Sequence, residues 1–93
     1  MEFFKVYEII VNKNGNSNLS GKMCVGIYKN QEKASYLAHI INVQDCNNTE
    51  IIKSQITKQD LLDLHICFKG SDCVEEIITL SKQIIKEEVE LIK

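Results

Sequence analysis

The sequence predicts an α+β fold in the order ββαβαα: a three-stranded sheet packed with two or three helices, the last of them long. Three observations carry that reading. Two runs rich in aromatic and β-branched residues flank a stretch dominated by Asn, Ser and Gly, the pattern of a hairpin. A capped segment with apolar residues at i, i+3, i+4 and i+7 follows, and then another β-branched run. The chain closes on a capping pair and a helical apolar pattern that extends to about Lys93.

Residues 2–11 supply the first strand. Apolar side chains fall on both parities, with Phe4, Val6 and Ile10 on one face and Phe3, Tyr7, Ile9 and Val11 on the other. A strand of that kind is central, or has one face covered by another chain. Residues 12–22 are turn formers almost throughout and read as a long hairpin loop. Residues 23–29 return as a strand, and simple alternation puts Met23, Val25 and Ile27 on one face and Cys24, Gly26 and Tyr28 on the other.

Asn30 is a good N-cap. Beyond it Ala34, Leu37, Ala38 and Ile41 make one buried helical face, whose two alanines allow a close approach to the sheet. Glu32, Ser35, His39 and Asn42 occupy the opposite face, and the helix ends near Val43 before a polar loop over 44–49. Residues 50–56 read as a third strand. Thr57, with Asp60 three positions on, is a variant capping box opening a short helix. Leu61, Leu64, His65 and Phe68 share one face of it, and Gly70 is the expected C-cap. Taken alone, His65-Ile66-Cys67-Phe68 reads equally well as a strand. Asp72 with Glu75 repeats the capping box. The apolar positions of the last helix (among them Val74, Ile77, Ile78, Ile84, Ile85, Val89 and Ile92) cover about half its circumference, more than one docking face needs. A second packing surface is therefore expected.

Bulk properties narrow the function classes. Ninety-three residues make one domain, 1–93, with a small core. Residues 1–49 carry a net +1 and residues 50–93 a net −3, too little to steer nucleic acid. All eleven basic residues are Lys. Without Arg the bidentate contacts of most base readers are missing, so direct sequence-specific nucleic-acid recognition is not expected. No signal-peptide pattern and no membrane-spanning apolar run is present, which gives a cytoplasmic expectation with no membrane partner. In that compartment Cys24, Cys46, Cys67 and Cys73 are expected as reduced thiols rather than as two disulfides.

Candidate chemistry is thin. Zinc sites show C-x₂₋₄-C and H-x₃₋₅-H pairs. Here Cys67 and Cys73 are six apart, so no metal site is expected. Cys73 at the start of the last helix is the one candidate reactive thiol, since helix N-termini favour thiolate. Asp72 and Glu75 beside it push the other way. His39 reads as a solvated side chain and His65 as partly buried among leucines. No Ser/His/Asp grouping, carboxylate pair or phosphate loop is visible, so no catalytic residue and no cofactor is assigned.

The stronger signal is the last helix, where Ser81 and Glu88 interrupt the apolar face near its centre. A small residue lets another helix come close. A carboxylate there must reach water, find a Lys or meet a partner. Ser81, Ile84, Ile85, Glu88 and Ile92 thus form the expected interface, and self-association would suit so small a core. The reading is a non-catalytic protein-binding module, a homo-oligomer that engages another protein as inhibitor or regulator. Its short, motif-free, Ile-, Lys- and Asn-rich composition fits the counter-defence proteins of phages and mobile elements, such as anti-CRISPR-type inhibitors. Two rivals are a small-ligand or nucleotide module using the Asn-rich loop, and a thiol- or zinc-dependent enzyme centred on Cys73, Cys67 and His65.

Overall fold

The computed structural model describes residues 1–10 and 21–92. Val11, residues 12–20 of the expected hairpin loop and the helix terminus at Lys93 lie outside the described residues, while Gly21 and Lys22, expected in that loop, already belong to the second strand. The elements are β1 (Phe3–Ile10), β2 (Gly21–Tyr28), α1 (Gln31–Ile40), β3 (Thr49–Ser54), α2 (Lys58–Ile66), β4 (Gly70–Ser71) and α3 (Val74–Ile92). The strand order is β3-β1-β2-β4. β1 runs antiparallel to both β3 and β2, while β4 lies parallel to β2. The sheet is therefore mixed and four-stranded rather than three-stranded. The extra strand is only two residues long, too short to leave a periodic signal in the sequence.

β1 is central, one of the two arrangements that its two-sided apolar pattern allows. Val6 joins Val25, Tyr28, Ala34, Leu37, Ala38 and Ile41 under α1. Phe3 and Tyr7 face the other way and pack with Cys24, Ile27, Leu64 and Cys73 under α2 and the start of α3. Helices thus cover both faces of the sheet.

The parity expected for β2 is overturned. Val6 pairs with Gly26 and Tyr7 with Cys24, so Val25 is an extra residue at a β-bulge. Beyond a bulge the alternation slips by one position. Met23 and Val25 therefore share the α1 side with Tyr28, whereas Cys24 and Ile27 share the other side. Gly26 is required at this point. A Cβ there would lie 2.5 Å from Leu37 Cδ2 and 2.8 Å from the Gly70 carbonyl oxygen.

The Asn30 side chain caps α1 by accepting from the amides of Glu32 and Lys33, and its buried residues are those the periodicity predicts. A π-helical turn, Ile41–Asp45, prolongs the helix, and Cys46 ends it with a left-handed φ of 56°. In α2 the Thr57–Asp60 capping box forms in full. Its buried side, however, is Asp60, Asp63 and Leu64, while His65 and Phe68 are exposed. Gly70 is not the cap: α2 ends at Cys67 in extended conformation and Gly70 begins β4. Before α3 the second expected capping box is replaced. Asp72 Oδ1 accepts from the Lys29 amide at 2.7 Å, tying the helix start to the end of β2. No described helix is long and apolar enough to cross a membrane.

Candidate functional site

Two features stand out against this frame: a buried polar network beneath the sheet and an uncovered apolar face on the outside of α2 and α3. The network starts at Lys5 on the central strand, only 3% exposed. A buried ammonium is tolerated only when paired and hydrogen-bonded. Its Nζ donates to Asp60 Oδ2 at 2.8 Å and to the Gln55 carbonyl at 2.9 Å. Asp60, 2% exposed, also accepts from the Tyr7 hydroxyl at 2.6 Å and the Thr57 amide at 2.9 Å. One turn on, Asp63 Oδ2 accepts from the Cys24 amide at the bulge at 3.0 Å, and Asp63 Oδ1 accepts from Gln59.

The electrostatics follow from this geometry. Burial pushes the Asp60 carboxyl up, but the hydrogen bonds from Lys5, Tyr7 and Thr57 outweigh it and hold the group below its ordinary value. Burial drives the Tyr7 hydroxyl up, and its bond to Asp60 adds to that. Burial likewise pushes the Cys24 thiol up to about 12, with the Asp60 charge contributing. No described buried side-chain nitrogen or oxygen lacks a partner. A network closed on itself in this way holds the sheet to α2.

The cysteine and histidine candidates are not brought together. Cys67 packs on the α1 side of the sheet and Cys73 on the other. Cys73 is buried, lies just before α3, and its Sγ contacts the Ile27 carbonyl at 3.3 Å and Ser71 Oγ at 3.4 Å. Burial pushes this thiol up, with Asp72 and Glu76 adding to the effect against the lowering hydrogen bond from Ser71. That is the direction away from an activated nucleophile. Cys46 and His39 are both exposed, His39 in the last turn of α1 and Cys46 at the end of the π-helical turn that prolongs it. The described residues contain no cluster of three or more metal-ligating side chains.

The apolar face comes from the way α3 docks. Its first turns reach the core through Cys73 and Ile77. Further along, the half-buried Ser81 and Ile84 lie against α2. Between the two helices runs a groove in two reaches. One, of about 270 Å³, is lined by Leu61, Leu62, Ile84, Ile85 and the Lys58 and Glu88 side chains. The other, of about 320 Å³, is lined by Leu64, Phe68, Val74, Ile77 and Ile78. Leu61, His65 and Ser81 border both, so the reaches meet at Ser81. Glu88 is exposed and forms an ion pair with Lys58 across the groove. Ile85 is exposed, and the side chain of Ile92 lies outside the described residues. A wider cleft of about 610 Å³ lies on the other side of α3, between Phe3, Ile56, Thr79 and Leu80, with Glu75 and Glu76 at its margin. Glu76 is engaged by Lys29.

The sequence singled out the α3 residues but not the polar network. The available signal was Lys5 at the centre of an apolar strand, together with two carboxylates at i and i+3 on the leucine side of α2. Comparisons of the chain with models of known families, with curated proteins and with solved structures find no match.

Proposed function

We propose that this chain is a non-catalytic protein-binding module that regulates or inhibits another protein, with the outer face of α2 and α3 as its contact surface. The observation that carries the reading is the run of exposed apolar side chains there: Leu62, Phe68, Val74, Ile78, Ile85 and Val89. Scattered exposed apolar residues are ordinary, but a contiguous patch bordering a groove marks an interaction site. The ionisable side chains that are buried serve packing and are already satisfied, which leaves this face as the most distinctive surface. The specific form of the reading, an inhibitor of host machinery of the kind phages and mobile elements encode, rests on composition alone.

The test compares immobilised wild-type protein with the Leu62→Glu/Ile85→Glu variant in lysates of candidate hosts. Both changes lie at exposed positions, so circular dichroism should be unchanged. Wild type should retain a stoichiometric protein that the variant retains at least about tenfold less. A partner retained equally by both would refute the assignment of this face.

A further inference from the structure

We infer that the chain pairs with a second copy of itself through α3, the two helices running antiparallel about a two-fold axis that passes between Ser81 and Lys82. This deepens the reading above by naming one occupant of the apolar face. The observation is the spacing of the exposed apolar residues of α3. Val74, Ile78, Ile85 and Val89 are each between 46% and 60% exposed. Their separations of four, seven and four residues are the same read in either direction. An isologous dimer needs such self-complementarity, because each residue must meet what its partner's copy presents. With the axis between Ser81 and Lys82, Val74 falls level with the partner's Val89 and Ile78 with the partner's Ile85. At 100° per residue these positions form one stripe along the helix. Ser81, the small residue beside the axis, lets the helices approach there.

Charge agrees with the same axis. Glu75 and Lys86 lie on the flank of the stripe away from α2, and among the described residues neither takes part in an ion pair. The antiparallel arrangement brings Lys86 to within a turn of the partner's Glu75, and the symmetry makes that pair twice. Glu76 and Glu88 are held by Lys29 and Lys58 of their own chain, so they add no uncompensated repulsion. The one like-charge approach sets Lys82 against the partner's Lys82 at the open flank, where long side chains splay into solvent at little cost. Area is sufficient as well. The four α3 residues with Leu62 and Phe68 expose roughly 500 Å² of apolar surface per copy, about the apolar share of a standard interface of ~800 Å² per partner.

Sedimentation equilibrium on purified, reduced protein tests the pairing, with Glu75→Lys, Lys86→Glu and the double variant as probes. All three changes are at exposed positions, so circular dichroism of each variant should match wild type. Wild type should be dimeric at roughly 10 μM, each single reversal should weaken association on the order of tenfold, and the reciprocal double reversal should restore it. A monomer at that concentration, or a dimer that ignores both single reversals, overturns the pairing, as does a double variant weaker than either single. A monomer that still captures another protein through Leu62 and Ile85 would leave the docking reading standing without self-pairing. A dimer that captures nothing would do the reverse.

Discussion

Replacing Asp60 by Leu gives the most demanding test of the core. The carboxylate is 2% exposed, binds the 3%-exposed Lys5, and also accepts from Tyr7 and Thr57. The substitution leaves Lys5 with only the Gln55 carbonyl and orphans the Tyr7 hydroxyl. Removing one partner of a buried ion pair costs about 3–5 kcal/mol, and loss of the capping box adds about 1 kcal/mol. At about 0.05–0.15 kcal/mol per residue, a chain of this length holds only about 5–14 kcal/mol in total. Asp60→Leu should therefore remove a third or more of the stability, a fall of at least about 1.5 M in the urea midpoint. Adding Lys5→Met removes the stranded ammonium, so the double variant should recover at least half the loss.

Titration supplies a second readout of the same pair. Because the folded carboxyl is held below its ordinary value, the unfolded chain takes up its proton at a higher pH than the folded chain does. The contribution of Asp60 is thus present above about pH 4 and lost as pH falls below it, and the double variant should show a shallower acid limb. A cost under about 1 kcal/mol for Asp60→Leu, or a double variant no more stable than that single one, would refute the account of a buried, coupled pair.

Two further outcomes follow from packing. Gly26→Ala should destabilise by about 1–3 kcal/mol, because the new methyl meets Leu37 on one side and the Gly70 carbonyl on the other; an unchanged thermal midpoint would contradict the close approach of α1 and β4 to the bulge. A thiol-exchange reagent should modify the exposed Cys46 quickly and the half-buried Cys67 more slowly. Cys24 and Cys73, both buried, should react only at the rate of global opening, and rapid modification of either in native protein would show that its side of the sheet is open.

Several local signals in the sequence translated into structure, although the Gly70 cap and the buried face expected for α2 did not. The Asn30 cap, the Ala34/Leu37/Ala38/Ile41 face, the Thr57–Asp60 capping box and the central position of β1 all depend on residues within a few positions of one another, or on a single strand's own pattern. What failed was decided at long range. The parity of β2 inverted because one residue is bulged out, a choice made by Gly26 and the elements pressing on it. Asp72 left its expected helix cap for the Lys29 amide, 43 positions away in the chain. The groove was half legible: an apolar arc wider than one docking face announced a second surface, while the contribution of Leu62 and Phe68 from α2 could only emerge once the helices were placed side by side.

The bulge in β2 also bears on how the chain folds. Its Cys24 amide is satisfied by Asp63, which arrives 39 residues later, and the extra residue shifts every side chain beyond it to the opposite face. Until α2 docks, the Cys24 amide at the bulge lacks this acceptor, whereas a regular ladder would satisfy the same amide locally. The docking of α2 thus adds to Gly26 and the elements packed on it in supporting the bulged register. Fixing that register therefore includes a contact 39 residues apart in the chain, which carries a loop-closure cost that a regular hairpin ladder does not.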